Sequence, residues 1–210
     1  MGGSADRSAD GAPEVVLASA SPRRHALLRE AGLSFRIEPA DVDETIDLTL
    51  DAGAAAEDLA LRKARAVARS RATGASPALV VGADTLVVLG EDGDPARRFL
   101  EKAADAEEAR EMLRALSGTR HRVITGVAVV ETAGGAERAT HETTWVTMRA
   151  ITPDEVEAYV ESGEWEGKAG AYAIQETADR FVERLDGGGF DNVVGLPVER
   201  TLGLLGSSSG

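Results

Sequence analysis

The order of apolar and polar residues predicts strands and helices that alternate along most of the chain. Short apolar runs without helical spacing predict buried strands, whereas apolar residues three and four positions apart predict the inner face of a helix. In the first half the pattern predicts strands in "EVVLAS" and "LSFRIEP", helices over 21–31 and 54–72, two β-branched runs in "PALVVGADTLVVLG", a charged loop "EDGDPARRF" and a helix in "DAEEAREMLRALSG".

The second half begins with two long predicted strands. They flank the "GG" turn of "HRVITGVAVVETAGGAERATHETTWVTMRA" and predict a β-hairpin. A capped helix in "TPDEVEAYVESG", a strand in "RFVERLD" and a final helix from Pro197 follow. We expect Val198, Leu202 and Leu205 to share one face of that last helix. Strands and helices that intermix around one long hairpin predict an α/β fold with a mixed sheet.

Residues that favour helix ends mark several boundaries. Ser21 and Asp105 are suitable N-caps, because their side-chain oxygens accept hydrogen bonds from free N–H groups of the first turn. Proline is favoured at the first helical position, which predicts helix starts at Pro22 and Pro153. The glycines expected to follow helix C-termini are Gly32, Gly74 and Gly118.

Composition limits the chemistry that the protein can carry. With 210 residues, the chain forms one domain or two closely packed lobes, and 43% hydrophobic but only 4% aromatic residues predict a core of Ala, Val, Leu and Ile. The absence of cysteine excludes disulfides, thiolate metal sites and a cysteine nucleophile. Of the three histidines, we expect no catalytic role for His25, and solvent-facing strand positions are open to His121 and His141.

Charge limits the partners. A formal net charge of −13 argues against stable nucleic-acid binding, and a site for an anion would need a local cluster of Lys, Arg or a metal ion. No apolar run is long enough to predict a membrane span. Residues 1–13 lack the apolar core of a signal peptide, so we expect a disordered segment there, a flexible tail over 206–210 and a cytoplasmic location.

Two arginines occupy an electrostatically unfavourable position in "SASPRR". Arg23 and Arg24 fall in the first turn of the predicted helix over 21–31, where the positive end of the helix dipole opposes each cation by roughly 0.3–1 kcal/mol. A bound anion would reverse this balance, because the arginines and the free N–H groups would attract it together. The position therefore favours a phosphate site slightly over the alternative, in which both side chains extend into solvent.

Asp84 lies between the two apolar runs of "LVVGADTLVVL". If the carboxylate is buried it needs a partner, because an unpaired buried charge is costly. One interpretation is a metal ligand or general base, with the Thr85 hydroxyl beside it. An equally good one is a plain hairpin with residues 82–85 in an exposed turn.

Lys63 interrupts the apolar stripe of the predicted helix over 54–72. It lies four residues after Leu59 and four before Val67, on the side expected to be buried. The side chain either extends along the apolar surface to solvent, which is the commoner outcome, or points its ammonium group into a cleft as a phosphate ligand.

Two other segments carry candidate binding groups. "DVDETID" concentrates acidic residues in a loop, where they are either simply solvated or bind Mg²⁺ together with substrate oxygens. "GKAGAYAIQ" places small residues around Tyr172 and Gln175, an arrangement that suits either a flat ligand or close strand packing.

Together these segments resemble the Maf family of nucleoside triphosphate pyrophosphatases. The resemblance is carried, in order along residues 14–205, by "LASASPRRHALL", "DVDE", "LALRKARAVA", "VVGADTLVVL", "EEAREMLRALSGTRHRVITGVAVV", "GEWEGKAGAYAIQ" and "NVVGLPVERTLGLL". The "KAGAYAIQ" segment is similar to the subfamily that acts on dTTP and UTP rather than to the branch that acts on 7-methyl-GTP.

The resemblance implies a fold, a reaction and a set of site residues. The implied fold is Maf/Ham1-like (ITPase-like): an elongated mixed β-sheet flanked by helices, forming a single domain over 14–205 with two lobes around a cleft, often as a homodimer. The implied reaction is hydrolysis of a nucleoside triphosphate, including modified pyrimidine nucleotides, to the monophosphate and pyrophosphate with Mg²⁺ or Mn²⁺. Asp84 matches the catalytic aspartate, and Glu44 and Asp84 the expected metal-binding carboxylates. The expected substrate-binding residues are Ser19, Arg23, Arg24, Lys63, Thr85, Lys102 and Gln175.

One segment departs from the family pattern. Family members usually have a short hairpin followed by Gly-Lys-Pro, whereas here the loop "GEDGDPARRFLEKAAD" is longer and Ala103 replaces the proline. Lys102 is the best match to the family lysine, with Arg97 or Arg98 as alternatives. The altered loop also leaves open a non-catalytic nucleotide-binding regulator of cell division and septum formation. A dinucleotide-binding fold is not expected, because no Gly-x-Gly-x-x-Gly follows the first strand.

Overall fold

The computed structural model describes residues 13–71 and 76–206, where helices and strands alternate. The strands are β1 (Glu14–Leu17), β2 (Arg36–Ile37), β3 (Ala78–Leu89), β4 (Arg98–Leu100), β5 (Arg120–Glu131), β6 (Glu137–Met148) and β7 (Val182–Gly187). The helices are α1 (Pro22–Glu30), α2 (Ala52–Arg71), α3 (Ala106–Leu116), α4 (Pro153–Glu161), α5 (Phe190–Val194) and α6 (Val198–Gly206), with a 3₁₀ helix at Thr177–Phe181. None of the described helices is long and apolar enough to cross a membrane.

The described strands form one seven-stranded mixed sheet. Six of them follow the order β2-β1-β3-β5-β6-β7, and β4 pairs with β3. β1 runs parallel to β2 and β3, whereas β3, β5, β6 and β7 are antiparallel neighbours. Helix α2 packs across β3, β5 and β6, and α3 packs on α4. The predicted α/β fold with a mixed sheet flanked by helices is therefore confirmed.

The capping residues explain where three helices begin. The Ser21 and Asp105 side chains accept hydrogen bonds from the backbone N–H groups of Arg24 and Glu108. Thr152 forms a capping box at α4, and Pro22 and Pro153 are the first residues of their helices. These local sequence signals confirm the predicted starts of α1, α3 and α4.

The hairpin interpretation of residues 82–85 is wrong. β3 runs without a turn from Ala78 to Leu89 and pairs with β5 from Leu79 to Val88. Both faces of the strand are covered, so the sequence is a nearly continuous apolar run rather than an alternating one. Asp84 is consequently a buried residue in the middle of a strand, not part of an exposed turn.

Two glycines let α2 approach the sheet closely. A Cβ atom on Gly82 would lie 2.2 Å from the carbonyl oxygen of Ala60, and one on Gly126 would lie 2.2 Å from that of Ala56. Real side chains do not tolerate such distances, and the carbonyl oxygens of Ala60 and Ala56 belong to the main chain and cannot rotate away. This close contact brings the middle of α2, and with it Lys63, against β3.

Replacement of Gly126 by alanine should therefore destabilise the protein. We expect Gly126→Ala to lower the free energy of unfolding by about 1–3 kcal/mol or more, because the added methyl group forces α2 away from the sheet. Urea denaturation measures the change. Gly203→Ala in α6 is the matched control: a Cβ there meets nothing within 4 Å, so higher helix propensity should slightly stabilise the protein. Equal stability of the two variants would contradict the close-contact interpretation.

Several predicted boundaries need correction. The segment over 91–99, expected to be a charged loop, ends in β4, because Arg98 and Phe99 pair with β3. In α6, Leu205 packs against the core, but Leu202 is exposed and Thr201 is buried, so Leu202 does not share a buried face with Leu205 as predicted. Gly206, expected to begin the flexible tail, belongs to α6. The predicted disordered segment, the helix end near Gly74 and the rest of the predicted tail fall on residues 1–12, 72–75 and 207–210, which lie outside the described residues. The division into two lobes stays a prediction.

Candidate active site

A cavity opens where the sheet divides. β1 pairs with the beginning of β3 and β4 with its end, so the described strands leave residues 82–86 of this edge without a strand partner. Asp84 and Thr85 lie in that gap and line a cavity of about 480 Å³. This volume is typical of small-molecule binding sites.

Every site residue that the family resemblance implies lines this cavity. Its walls carry five cationic side chains, from Arg23, Arg24, Lys63, Lys102 and Lys168. Three acidic side chains, from Glu44, Asp84 and Glu166, also line it, as do the predicted Ser19, Thr85 and Gln175. A local excess of cations in a chain of net charge −13 is typical of a site for an anion.

Arg24 is held by neutral groups from three parts of the chain. Its guanidinium donates to the Gly195 carbonyl at 2.7 Å, the Ser19 hydroxyl at 3.3 Å and the Thr85 hydroxyl at 3.1 Å. Desolvation lowers the pKa of Arg24, and the nearby Asp84 charge opposes that shift. Because its hydrogen-bond acceptors are uncharged, the guanidinium retains its attraction for an anion in the cavity.

Lys63 lies between two carboxylates that line the cavity. Its ammonium group contacts Asp84 and lies 2.7 Å from Oε1 of Glu44, whose Oε2 lies 2.8 Å from the ammonium of Lys102. We call these four residues, Asp84, Lys63, Glu44 and Lys102, the acid–lysine ladder. The Lys63 side chain is only 8% exposed, so it points into the cavity and does not extend to solvent.

The ladder fixes the charge of Glu44. Burial acts to raise the pKa of Glu44, but hydrogen bonds from Lys102 and Lys63 outweigh it and lower the pKa to about 2. Glu44 is therefore ionised at neutral pH, and each of its oxygens already has a cationic partner. A ligand that binds Glu44 must compete with these lysines.

The two carboxylates of the ladder fit a hard divalent cation. Within the part of the chain that the structure describes, no group of three or more His, Cys, Asp or Glu residues could hold a metal by itself. Mg²⁺ needs only one or two carboxylates when phosphate and water oxygens complete its coordination. Glu44 and Asp84, both in contact with Lys63, are close enough to serve together.

Lys102 reaches the cavity although the preceding loop is long. The backbone of Lys102, just after β4, bridges to Ala169, and its ammonium group lies 2.8 Å from Glu44. Arg97 turns away from the cavity and donates to the carbonyls of Leu48 and Leu50, and Arg98 is an exposed residue of β4 that does not line the cavity. Arg97 and Arg98 are therefore wrong as substitutes for Lys102.

The sequence analysis did not identify Lys168 as a residue of the cavity. This residue is buried, lines the cavity, and its ammonium contacts Glu176 and the Glu164 carbonyl. The turn that carries it contains Gly170 and Ala171 at φ +69° and +58°, and a Cβ on Gly170 would lie 3.0 Å from Val87. A lysine among small residues in "GKAGAYAIQ" was the available signal. The left-handed Ala171 is a strained position of the kind found at functional sites.

His121 is buried, contrary to the expectation of a solvent-facing position. Its ring lies in β5, most of whose residues are buried, and its Nε2 is 2.8 Å from the hydroxyl of Tyr172 in the cavity wall. Burial lowers the pKa of His121 to about 4 and raises the pKa of Tyr172. Both side chains are consequently neutral at physiological pH.

The buried His121 predicts a pH-dependent stability. Because the pKa is about 4 in the folded state and 6.5 for a free histidine, the unfolded state binds the proton more tightly between these values. Stability should therefore fall with pH from about 6.5 towards 4, by up to about 1.4 kcal/mol per pH unit. His121→Gln should reduce this slope in urea denaturation curves, with His141→Gln as the control substitution. An unchanged slope in His121→Gln would contradict this origin.

A chain of polar groups joins β3 to α5. The Thr85 and Thr125 hydroxyls lie 3.0 Å apart, and Thr125 donates to the Asn192 carbonyl at 2.8 Å. The Asn192 side chain in turn donates to the Thr144 hydroxyl at 2.9 Å. These contacts hold α5 against the sheet, and the Gly195 carbonyl at the end of α5 accepts the hydrogen bond from Arg24. Polar residues scattered over such distant segments could not be grouped from sequence.

The mixed sheet divides around a cation-rich cavity, and two carboxylates in this cavity are bound by lysine. These features define an α/β protein with a site for a phosphate-bearing anion. The comparison with known families makes this class specific. The chain belongs to the Maf-like protein family, whose sequence model matches residues 14–208.

Two known proteins with similar sequences carry the same name. The dTTP/UTP pyrophosphatase of Moorella thermoacetica is 49% identical over 196 residues, which cover 92% of this chain and 95% of that protein. The dTTP/UTP pyrophosphatase of Desulforamulus reducens is 44% identical over 186 residues, covering 89% and 92%. Among solved structures, a HAM1 protein from Coxiella burnetii is 18% identical with a TM-score of 0.50, over 93% of this chain and 100% of that one. The predicted Ham1-like fold is thus supported.

Proposed function

We propose that this protein is a nucleoside triphosphate pyrophosphatase that hydrolyses dTTP, UTP and modified pyrimidine nucleotides to the monophosphate and pyrophosphate, with Mg²⁺ or Mn²⁺. The acid–lysine ladder carries this proposal, because it places two carboxylates and two lysines beside Arg23 and Arg24 in one cavity. The shared name of relatives that are 44% and 49% identical supports the same activity.

In this reaction a water molecule attacks the α-phosphorus and pyrophosphate leaves. One bond forms between the water oxygen and the α-phosphorus, and the α–β anhydride bond breaks. Arg23, Arg24 and the two lysines of the ladder bind the phosphate oxygens and offset their charge. Asp84 orients the attacking water and accepts its proton. A divalent cation held by Glu44 and Asp84 would supply charge neutralisation and a lower pKa of water when bound.

The wall formed by "GAYAIQ" is the proposed base-binding side. Gln175 offers an amide that both donates and accepts hydrogen bonds, and the Tyr172 ring and Ile174 provide apolar surface beside it. We expect dTTP, UTP and 5-methyl-UTP to give higher kcat/KM values than dATP and 7-methyl-GTP in parallel pyrophosphate-release assays. A preference for either purine would contradict the pyrimidine assignment.

The alternative of a non-catalytic regulator is not favoured. Its support was the longer loop before Lys102, which was expected to disturb the site. In the structure Lys102 nevertheless lines the cavity and contacts Glu44. Absence of pyrophosphate release from every nucleotide, with binding retained, would restore that alternative.

A further inference from the structure

The long loop between β3 and β4 lies against the segment that carries Glu44. Arg97, at the end of this loop, donates from Nη1 to the Leu50 carbonyl at 3.1 Å and from Nη2 to the Leu48 carbonyl at 3.0 Å. Its side chain is only 14% exposed and lies over the Phe99 ring. A guanidinium can bind two carbonyls at once because its N–H groups form a rigid planar fork. We call residues 38–51, between β2 and α2, the acidic loop. Arg97 therefore holds the last part of this loop, at Leu48 and Leu50.

Asp92 fixes both Arg97 and the start of α2. Its Oδ1 accepts from Arg97 at 2.9 Å and from the backbone N–H of Ala52, the first residue of α2, at 3.1 Å. Its Oδ2 accepts from Arg122 of β5 at 2.6 Å. The hydrogen bond from Arg122, despite some opposing desolvation, is the largest reason that the pKa of Asp92 is lowered to about 2.

Arg122 anchors this group to the central sheet. Its side chain is 7% exposed, and its second N–H group donates to the Gly90 carbonyl at 2.8 Å. Asp92, Arg97 and Arg122, which we call the loop clamp, thus connect β5, the β3–β4 loop and the acidic loop through charge-assisted hydrogen bonds. Such bonds are stronger than those between neutral groups, so the clamp restricts the movement of the loop.

Glu44 lies in the stretch that the clamp helps to hold. On one side, Arg62 donates to the Thr45 carbonyl at 2.8 Å, and Ile46 is buried in the core. On the other side the clamp binds residues 48 and 50. Lys102 follows β4 only a few residues after Arg97, so one segment of the chain carries two clamp residues, Asp92 and Arg97, and the lysine that contacts Glu44.

We propose that Arg97 is a positioning residue that, through Asp92 and Arg122, holds the acidic loop so that Glu44 meets Lys63 and Lys102. The catalytic consequence of this proposal rests on the proposed function. The longer β3–β4 loop would then hold the acidic loop that carries Glu44 in place, and would not itself supply a residue that binds substrate or metal. Lysine could not replace Arg97 fully, because one ammonium group cannot span two carbonyls and Asp92 in the same geometry.

The test compares Arg97→Ala with Arg98→Ala, the exposed neighbour on β4, and with Arg97→Lys. Hydrogen–deuterium exchange of the backbone amides over residues 44–51 is measured without nucleotide, and kcat and KM for dTTP are measured with Mg²⁺. We expect Arg97→Ala to speed exchange in this loop by about tenfold and to lower kcat by roughly ten- to hundredfold, with little change in KM. Arg98→Ala should match the wild type, and Arg97→Lys should be intermediate.

Each outcome decides the proposal. Wild-type exchange in Arg97→Ala would show that Arg97 does not hold the loop, and faster exchange with wild-type kcat would show that Glu44 does not need it; either result overturns the proposal. If Arg97→Ala does not fold, the comparison of Arg97→Lys with Arg98→Ala decides in the same way. If the wild-type protein hydrolyses no nucleoside triphosphate, the proposed function fails, whereas the exchange measurement still decides whether Arg97 holds the loop.

Discussion

Asp84→Asn should lower kcat for dTTP hydrolysis by at least about 10²–10³-fold while leaving the protein folded. Asparagine has nearly the same shape and still accepts a hydrogen bond from Lys63, so the buried strand position is filled. It cannot accept the proton of an attacking water, and as a neutral ligand it binds a divalent cation weakly. Release of pyrophosphate from dTTP with Mg²⁺ measures the loss, and thermal unfolding monitors the fold.

Asp94→Asn is the matched control for this substitution. Asp94 lies in the exposed β3–β4 loop, outside the cavity lining, so the same chemical change should leave kcat unaltered. Near-normal turnover of Asp84→Asn, or equal losses in both variants, would contradict the role of Asp84.

Lys63→Met should impair both turnover and stability. Methionine retains the apolar stem that packs in the stripe of α2 but removes the cation between Asp84 and Glu44. Loss of one partner from a buried ion pair costs up to about 3–5 kcal/mol, because the remaining charge stays buried without compensation. Partial exposure of Glu44 reduces this cost. Since Lys63 also faces the expected phosphates, kcat should fall by roughly 10²-fold or more.

The same variant should respond differently to metal ions. In the wild-type protein the lysines occupy the carboxylates, so Mg²⁺ without nucleotide must displace them. In Lys63→Met the carboxylates are freed from one competitor, and Mg²⁺ alone should raise the melting temperature more than it does for the wild type. Arg65→Met, which removes a surface cation from α2, is the control. Wild-type stability and wild-type turnover of Lys63→Met would contradict the ladder.

Most of the fold could be predicted from sequence because its signals are local. Ser21, Asp105 and Thr152 cap helices through contacts within three residues. The apolar run of β5 and the threonine-rich sequence of β6 both favour strands. The failures have a physical cause as well. An apolar run covered on both faces has no alternation, so the continuous β3 and a hairpin at residues 82–85 have the same pattern.

The site was predictable where a residue conflicted with its local surroundings. Arg23 and Arg24 oppose the dipole of α1, and Lys63 interrupts an apolar stripe; such conflicts are expected at functional positions. His121 and the clamp residues Asp92 and Arg97 cause no such conflict in the sequence. The contacts of His121 with Tyr172, of Asp92 with Arg122 and of Arg97 with Leu48 span 51, 30 and 49 residues of the chain, so only the folded structure brings these groups together.

Hydrolysis of dTTP in oxygen-18 water tests the proposed reaction most directly. The wild-type protein with Mg²⁺ should release pyrophosphate and dTMP in equal amounts, with the heavy oxygen in the phosphate of dTMP, and Asp84→Asn should release almost none. Label in the pyrophosphate would mean attack at the β-phosphorus, and orthophosphate as the product would mean cleavage of another bond. Either of these results, or no turnover of dTTP and UTP, would contradict a pyrophosphatase in which Asp84 directs water to the α-phosphorus.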